Sequence, residues 1–321
     1  MVPPEPARVA ADQSAARAET GPARPPRRRR RWRRRLAILA GVLAAAYGAL
    51  WLVRLTRDVV PVRQRPFLNG GPLVIAHRGA SGVESEHTIS SYRRALADGA
   101  EVLELDVHRS RDGAIVVSHD ATLERRFGVA RAIADSDLPA LRAELARRFP
   151  ASDPATLLPT LDEVLAAFPE ARLNIELKAD SAALADAVAA AIERHGRADD
   201  VLVASFHGGA LARFRASSHG RVATSASLRE AARFYACYLL DVACRPEFEA
   251  LQVPIRLRSS WPRFPLDSSD FIAFAHRHGL AVHYWTIDDP AEMTRLLAAG
   301  ADGIMTNYPA RAIAARAAAR R

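Results

Sequence analysis

The feature that most constrains the fold of this chain is an alternation of short apolar runs with helical patterns from residue 73 onward. Eight runs rich in aliphatic and β-branched residues predict strands, at 73–78, 101–107, 173–177, 201–205, 221–225, 250–255, 281–287 and 303–306. Helical patterns lie between several of them, at 90–98, 161–168, 182–195, 268–278 and 291–299. Because strands that alternate with helices pair in parallel, the pattern predicts an α/β fold, a TIM (β/α)8 barrel over residues 73–312. The main alternative is an open, doubly wound sheet.

Two further segments are interpreted around this barrel. Asp112-Gly113 is a strong turn signal, so the apolar piece Ile115 to Ser118 is predicted to fold back beside the second strand. Residues 121–160 contain no clear strand pattern and are predicted to form an insertion over one mouth of the barrel.

The charge of the chain is concentrated at its N-terminus. The formal net charge is +9, and residues 1–35 hold eleven Arg against three acidic residues, a balance of 11 − 3 = +8. The rest of the chain has too little net charge to attract polyanions in general, so no nucleic-acid partner is predicted. Residues 1–35 cannot bury enough apolar surface to fold, and they are predicted to be a disordered, Arg-rich tail.

An uncharged segment of eighteen residues, 36–53, directly follows a block of eight arginines. As a helix it would extend about 27 Å, close to the roughly 30 Å hydrocarbon thickness of a bilayer. We predict a single transmembrane anchor with a cytoplasmic N-terminus and an extracytoplasmic catalytic domain, since arginine-rich flanks stay in the cytoplasm. The alternatives are a cleaved secretory signal, a twin-arginine export signal, a buried core helix and, for the arginines, a nucleic-acid arm. Residues 54–72 are then a linker.

Cys237 and Cys244 are the only cysteines of the chain. They are too few for a disulfide scaffold and lack the spacing of a zinc or redox motif. On one helix they would lie roughly 10 Å apart, beyond the reach of a disulfide. We therefore predict two small buried side chains, which do not indicate a compartment.

Carboxylates end two of the predicted strands. Glu104 and Asp106 are two residues apart on the second strand and share one face, and Glu176 ends the third. A lone pair of this kind is usually a solvated strand face, but barrel enzymes place their sites at the carboxyl ends of the strands. Carboxylates that converge there repel one another unless a cation lies among them, and an all-oxygen set favours Mg²⁺ or Ca²⁺ over zinc.

Basic and titratable residues accompany these carboxylates. His77 and Arg78 end the first strand, His119 follows the hairpin piece, and Lys178 follows the third strand. Histidines transfer protons near neutral pH, and Arg binds phosphate through two parallel hydrogen bonds. Each residue alone is a weak signal, but the ordered set indicates a phosphate-ester site.

These motifs resemble the signature of the glycerophosphodiester phosphodiesterase family, over about residues 73–310. The matching stretches are His77 to Gly82 with Glu86-x-Thr88 (HRGASG and PENT in the family), Glu104 to Val107, Asp112-Gly113, His119-Asp120, Asn174 to Lys178, Leu251 to Pro254, Tyr284 to Ile287 and Gly303 to Pro309. Ser85 and His87 replace the usual Pro and Asn of PENT, which weakens the assignment of Glu86 as a ligand.

The resemblance implies a TIM barrel that hydrolyses a glycerophosphodiester to glycerol phosphate and an alcohol. It implies a divalent cation, Mg²⁺ or Ca²⁺, held by Glu104, Asp106 and Glu176, with Glu86 as a further ligand or an orienting group. It also implies acid–base catalysis by His77 and His119, phosphate contacts from Arg78 and Lys178, and contact of Trp285 with the alcohol.

Two other functions are compatible with the motifs. A lysophospholipase D-like hydrolysis of membrane lysophospholipids would need an apolar groove at the barrel mouth, for which residues 121–160 offer candidates. A catalytically silent barrel that binds a ligand is disfavoured, because both histidines, the three carboxylates and Lys178 are all present.

Overall fold

The structure is a computed structural model that describes residues 27–56, 65–255 and 266–319. Its contacts divide the chain into two units, Met1–Thr56 and Arg57–Arg321. In the first unit the described residues form one helix, α1 (Arg27–Thr56).

Helix α1 changes part of the interpretation of the N-terminus. The prediction of disorder does not hold for residues 27–35, because arginine is a good helix former and no helix breaker separates the block from the apolar segment. Residues 1–26 of the predicted tail lie outside the described part of the chain. Within the described residues no helix is both long and apolar enough to cross a membrane, so the structure does not show the predicted anchor at 36–53.

The described strands of the second unit form one sheet. They are β1 (Leu73–Ala76), β2 (Val102–Arg109), β3 (Ile115–Val117), β4 (Arg172–Leu177), β5 (Val201–Ala204), β6 (Ala223–Thr224), β7 (Ala250–Val253), β8 (Ala281–Tyr284) and β9 (Gly303–Thr306). All except β3 are parallel, in the order β6-β5-β4-β2-β1-β9-β8-β7, and an isolated bridge from Ser225 to Ala250 joins the two ends. This nearly closed parallel barrel of eight strands confirms the predicted TIM fold.

The strand β3 is the predicted hairpin partner of β2. It pairs antiparallel with β2 and places Ile115 opposite Arg109. Gly113 in the connecting turn has a φ of 94°, in the left-handed region that glycine adopts without strain. The Asp112-Gly113 signal therefore predicted this feature correctly.

Helices cover the outside of the barrel and the insertion. They are α2 (Ile89–Ala97), α3 (Glu124–Phe127), α4 (Leu138–Arg148), α5 (Pro154–Leu157), α6 (Leu161–Ala167), α7 (Ala182–Arg194), α8 (Gly208–Ser217), α9 (Leu228–Leu240), α10 (Ser269–Arg277), α11 (Pro290–Ala298) and α12 (Pro309–Ala319). Hydroxyl side chains begin many of them, and Thr160 and Ser227 form reciprocal capping boxes with the Glu three residues later. The sequence patterns did not predict α8, α9 and α12.

Alternate residues of β2 show how the barrel separates its two layers. Leu103 and Leu105 point outward and pack in the apolar layer under the helices. Val102 points inward, to an apolar cluster that Phe67 joins from the segment before β1. Glu104 and Asp106 follow Val102 on the same face of the strand. The barrel interior is therefore apolar near the amino ends of the strands and polar near their carboxyl ends.

The segment before β1 seals the amino-end face of the barrel. Phe67 is 1% exposed, in the short 3-10 helix Pro66–Leu68. The Arg65 side chain donates to the Glu249 carboxylate at 2.9 Å and to the Arg221 carbonyl at 3.0 Å, and Glu249 in turn accepts from the Thr224 backbone N–H. These contacts span the seam between β6 and β7, where the sheet itself contributes only the isolated bridge.

The predicted insertion, 121–160, folds as α3, α4 and α5 around an apolar cluster of its own. Leu123, Ile133 and Leu141 are buried in that cluster, together with Val116 from β3. The insertion therefore packs against the hairpin, and α3 lies next to the groups that the sequence places in the catalytic site.

The two cysteines form a disulfide, so their prediction as separate buried thiols is wrong. Helix α9 ends at Leu240, and Asp241 has a φ of 50°, which turns the chain back toward the helix. The Cα atoms of Cys237 and Cys244 are 6.2 Å apart as a result. The estimate of roughly 10 Å assumed a helix that continues through both residues.

Candidate active site

Three acidic side chains form a cluster inside the barrel, at the carboxyl ends of two neighbouring strands. Glu104 and Asp106 lie on β2, and the register of the sheet pairs Asp106 with Glu176 on β4. One carboxylate oxygen from each residue lies within 4.8 Å of the others. Glu104 and Asp106 are buried. The sequence therefore identified these three residues correctly as neighbours in space.

The carboxylate cluster, Glu104, Asp106 and Glu176, is electrostatically unfavourable without a cation. Burial, and then the charges of Asp106 and Glu176, raise the pKa of Glu104 well above its usual value. Burial and the charge of Asp106 raise the pKa of Glu176 to about 7. Carboxylates with these neighbours ionise readily only beside added positive charge. The oxygen-only donor set fits a hard divalent cation.

Asp106 is held by a buried chain of hydrogen bonds. His87 is fully buried, its Nε2 lies 2.9 Å from Asp106 Oδ2, and its Nδ1 lies 2.9 Å from the Tyr92 hydroxyl. Burial lowers the pKa of His87 to about 4, so the ring is neutral at pH 7. An ionised carboxylate only accepts, so Nε2–H donates to Asp106 and Nδ1 accepts from Tyr92.

The same hydrogen bond explains why Asp106 differs from the other two carboxylates. Burial alone would raise the pKa of Asp106, but the hydrogen bond from His87 and the charge of Lys178 outweigh it and keep the pKa below its usual value. Asp106 is therefore the member of the cluster that is ionised most easily.

Two cations adjoin the carboxylate cluster. Lys178 Nζ lies 3.1 Å from Glu176 Oε1 and 3.3 Å from Asp106 Oδ1. Burial alone would lower the pKa of Lys178, but these two carboxylates raise it. Arg78 has a φ of 59°, and its backbone N–H donates to Glu104 Oε2 at 2.7 Å. The left-handed backbone of Arg78 thus belongs to the site, where such strain commonly occurs.

His77 is held by an amide. Its Nδ1 lies 2.7 Å from Asn307 Oδ1, and Asn307 Nδ2 donates to Asp288 at 2.6 Å, which fixes the orientation of the amide. The Nδ1 atom of His77 therefore carries the proton, and Nε2 keeps its lone pair. Burial, and then the charge of Arg78, lower the pKa of His77, so its ring is neutral at pH 7.

His119 is held by a carboxylate instead. Its Nδ1 lies 2.7 Å from Asp120 Oδ1, and Asp120 also pairs with Arg125 of α3. Burial alone would raise the pKa of Asp120, but the hydrogen bonds from His119 and Arg125 lower it. The ring of His119 thus faces an ionised carboxylate.

Glu86 lies outside the carboxylate cluster. Its carboxylate pairs with Arg125, and Arg78 Nη1 lies 3.3 Å from it. Burial alone would raise the pKa of Glu86, but the hydrogen bond from Arg125 and the charge of Arg78 lower it. Among the described residues the group that could hold a metal ion does not include Glu86, and its contacts suit an orienting role for the two arginines.

Apart from Glu86, the predicted site residues line one small pocket of about 160 Å³, which we call the polar pocket. Its lining includes both histidines, the carboxylate cluster, Arg78, Lys178 and Trp285. Trp285 stands at one edge and packs edge-to-face on Phe206, with ring centroids 5.9 Å apart.

Sequence reasoning did not assign the residues that hold these groups. Asn307 and Asp288 hold His77, Tyr92 supports His87, and Asp120 holds His119. Asp288 and Asn307 follow β8 and β9, so the rule that polar residues at strand ends form the site could have identified them.

Comparisons with known proteins agree with this geometry. A profile of the Glycerophosphoryl diester phosphodiesterase family matches residues 77–311. Lysophospholipase D GDPD1 of Rattus norvegicus is 28% identical over 261 residues, which cover 73% of this chain and 83% of that protein. Glycerophosphodiester phosphodiesterase of Bacillus altitudinis is 28% identical over 251 residues, which cover 76% of this chain and 97% of that protein.

A solved structure of a phosphodiesterase is similar to this chain in fold. A phosphodiesterase from Oleispira antarctica, in complex with the product sn-glycerol-3-phosphate, superposes with a TM-score of 0.59 and 25% identity. The similarity covers 76% of this chain and 96% of that chain.

Proposed function

Because this chain belongs to the glycerophosphoryl diester phosphodiesterase family, we propose that its polar pocket cleaves glycerophosphodiesters to glycerol phosphate and an alcohol by metal-assisted acid–base catalysis. The observation that carries the proposal is the convergence of two histidines, three carboxylates and two cations on one pocket. Both histidines are retained with a fixed partner on Nδ1, so a catalytically silent barrel is not supported.

The carboxylate cluster would hold a divalent cation, Mg²⁺ or Ca²⁺. When bound there, the cation supplies Lewis-acid polarisation of a phosphoryl oxygen and neutralises the developing negative charge. Lys178 and Arg78 flank the cluster and add fixed positive charge for the phosphate, with the Arg guanidinium suited to two parallel hydrogen bonds.

The two histidines take different roles because their partners differ. His77 is neutral and presents an unprotonated Nε2, so it accepts the proton of the attacking hydroxyl. His119, held by the Asp120 carboxylate, donates a proton to the leaving alcohol oxygen. In the family the attacking group is expected to be the glycerol 2-hydroxyl, which would give a cyclic phosphate that water opens in a second step. Trp285 lies against the alcohol at the edge of the pocket.

The test is release of glycerol 3-phosphate from glycerophosphocholine by the full chain, with Mg²⁺, with Ca²⁺ and with a chelator. We expect turnover that requires a divalent cation and is lost in His77→Ala. His276→Ala is the matched control, since His276 is exposed and pairs with Asp302 outside the polar pocket. Equal activity with and without chelator would contradict the role of the cation, and no activity on any diester would contradict the function.

The location of the enzyme is a separate part of the proposal. We propose an extracytoplasmic barrel tethered by residues 36–53. Eighteen uncharged residues after an arginine block support it, as do the exposed apolar side chains Leu36, Ile38 and Leu43 of α1. The disulfide Cys237–Cys244 also suits an oxidising compartment. Protease treatment of intact cells would digest the barrel if it is outside, whereas protection until lysis would contradict the proposal.

A further inference from the structure

Arg125, on helix α3 of the insertion, joins two carboxylates that serve the polar pocket from different loops. Its Nε donates to Asp120 Oδ2, and its Nη1 and Nη2 donate to the Glu86 carboxylate. Each carboxylate has a second partner that lines the polar pocket. Asp120 Oδ1 lies 2.7 Å from His119 Nδ1, and Glu86 Oε2 accepts from Arg78 Nη1 at 3.3 Å. One guanidinium therefore connects the candidate acid with a candidate phosphate contact.

A guanidinium is well suited to this bridge, because its five N–H donors lie in one plane and can serve two carboxylates at once. Burial alone would raise the pKa of both carboxylates, but hydrogen bonds lower it, from His119 and Arg125 for Asp120 and from Arg125 for Glu86. Both carboxylates are therefore ionised near neutral pH and keep accepting hydrogen bonds.

The insertion fixes the backbone from which Arg125 extends. Helix α3 is only four residues long, so its position depends on the packing around it. Leu123 and Phe127, on either side of Arg125, are buried in the apolar cluster of the insertion. Phe127 also packs edge-to-face against Phe149, with ring centroids 5.9 Å apart. The core of the insertion thus holds Arg125 against the loops of the barrel.

We propose that Arg125 is a positioning residue of the phosphodiesterase, which acts on His119 through Asp120 and on Arg78 through Glu86. Arg125 does not line the polar pocket, so it acts only through these partners. The insertion is then a part of the catalytic unit and more than a cover over one mouth of the barrel. This inference rests on the proposed phosphodiesterase function.

The first experiment removes the bridge and measures kcat and KM of the full chain on glycerophosphocholine with saturating divalent cation. Arg125→Ala should lower kcat by up to about 10²-fold, the usual cost of a small misplacement of a reacting group. It should also raise KM by up to about fivefold, the most that the loss of one partly exposed ion pair typically costs. The two effects have separate causes, since His119 acts in the reaction and Arg78 in phosphate binding.

Arg111→Ala is the matched control. Arg111 also ties the insertion to the rest of the barrel by a two-fold hydrogen-bonded ion pair, with Asp137 at 2.9 and 2.6 Å, and it does not line the polar pocket. Its side chain is 63% exposed, compared with 51% for Arg125. We expect kcat and KM of this variant within about twofold of wild type. Thermal unfolding of both variants shows whether they fold, and Arg125→Gln, which keeps most of the side-chain length, replaces Arg125→Ala if that variant does not.

The second experiment cuts each branch of the bridge alone. Asp120→Asn should mainly lower kcat, and Glu86→Gln should mainly raise KM. Addition of Arg125→Ala to Asp120→Asn should lower kcat by less than about threefold more, because residues that act as one unit have non-additive effects.

The outcomes separate the inference from the function on which it rests. If wild type cleaves glycerophosphocholine but the Arg125 variant matches Arg111→Ala in kcat and KM, the inference is wrong and the phosphodiesterase function stands. Losses of kcat that multiply fully in the double variant would also contradict the inference, since Arg125 would then act by a route other than Asp120. If wild type cleaves no diester, the proposed function fails and the inference fails with it.

Discussion

The polar pocket and the apolar cavity are neighbours at one mouth of the barrel, yet the first is lined mostly by charged and polar side chains and the second mostly by apolar ones. The apolar cavity encloses about 690 Å³ between β7, α9 and α10, and its wall includes Leu228, Tyr235, Leu251, Val253 and Phe271. Residues 121–160, where the sequence suggested an apolar groove, do not form it. In the polar pocket the two histidines are held by an amide and a carboxylate, and the carboxylates are held by Lys178, Arg78 and His87. In the apolar cavity no described lining residue carries a charge, and apolar side chains remain partly exposed. The difference shows that the shape of the polar pocket depends on fixed hydrogen bonds, whereas the shape of the apolar cavity depends on the packing of apolar side chains.

The largest effect should come from removal of an acid–base group. His119→Ala should lower kcat/KM by about 10²–10⁴-fold, the usual contribution of a positioned acid or base. The factor should be the same for glycerophosphocholine and for a lysophospholipid, because both use the same polar pocket. Steady-state kinetics on the two substrates checks this. A loss of activity on only one of the two substrates would contradict the statement that both react in the polar pocket.

A smaller effect should follow from loss of the group that positions Asp106. His87→Leu removes the donor to Asp106 and should weaken metal activation or turnover by about 10–100-fold, the usual cost of losing a partner of a metal ligand. His87→Asn keeps an N–H donor and should recover much of that loss. The metal concentration that gives half-maximal activity, measured for wild type and both variants, checks the role.

The two His87 variants also test whether the polar pocket and the apolar cavity act separately. The ratio of kcat/KM for a lysophospholipid to that for glycerophosphocholine should be unchanged in both variants, because the two substrates share their phosphate end and His87 does not line the apolar cavity. Equal loss in His87→Leu and His87→Asn would show that the site needs the imidazole ring itself rather than a donor to Asp106.

A pH effect on stability should be specific to the polar pocket. The pKa of Glu176 is raised to about 7 in the folded chain from an ordinary 4.5, so its favourable contribution is complete below about pH 4.5 and is lost as pH rises through about 7. With a chelator present, Glu176→Gln should therefore gain several degrees of Tm relative to wild type between pH 5 and about pH 8.

Thermal unfolding of the two proteins across this pH range checks the sign. Added divalent cation should stabilise wild type increasingly as pH rises, because the cation favours the ionised carboxylate. A Tm difference that does not change with pH would contradict the raised pKa of Glu176.

The smallest catalytic effect should come from the disulfide between α9 and the segment that follows it. A Cys237→Ser/Cys244→Ser variant should lose about 2 kcal/mol of stability, typical of a short disulfide loop. Glycerophosphocholine turnover should stay within about twofold, because the polar pocket is built on other elements. Unfolding curves and steady-state kinetics on glycerophosphocholine check both statements.

Much of the barrel and the grouping of the candidate site residues could be predicted from the sequence, because each depends on a local pattern. Strands buried on both faces are continuous apolar runs, so all eight parallel strands were found to within a few residues. Glu104, Asp106 and Glu176 could be placed together because strand periodicity and parallel order fix their faces.

The features that were missed depend on the path of the chain between these patterns. The disulfide requires that α9 end at Leu240, which the left-handed backbone of Asp241 decides. The apolar cavity lies between β7, α9 and α10, so its lining comes from several elements and no single segment of the sequence predicts it. His87 was recognised only as a departure from a motif, since its contact with Asp106 becomes visible only in three dimensions.

The segment before β1 closes the amino-end face of the barrel with Phe67, and its Arg65 spans the seam between β6 and β7. This arrangement has a practical consequence. The chain enters the barrel at the amino-end face, while the histidines and carboxylates lie at the carboxyl-end face. A bead, sensor surface or fused carrier attached directly at residue 65 would therefore lie at the face of the barrel opposite its mouth. Immobilised enzyme should turn over substrate at the same rate as free enzyme, whichever diester is supplied.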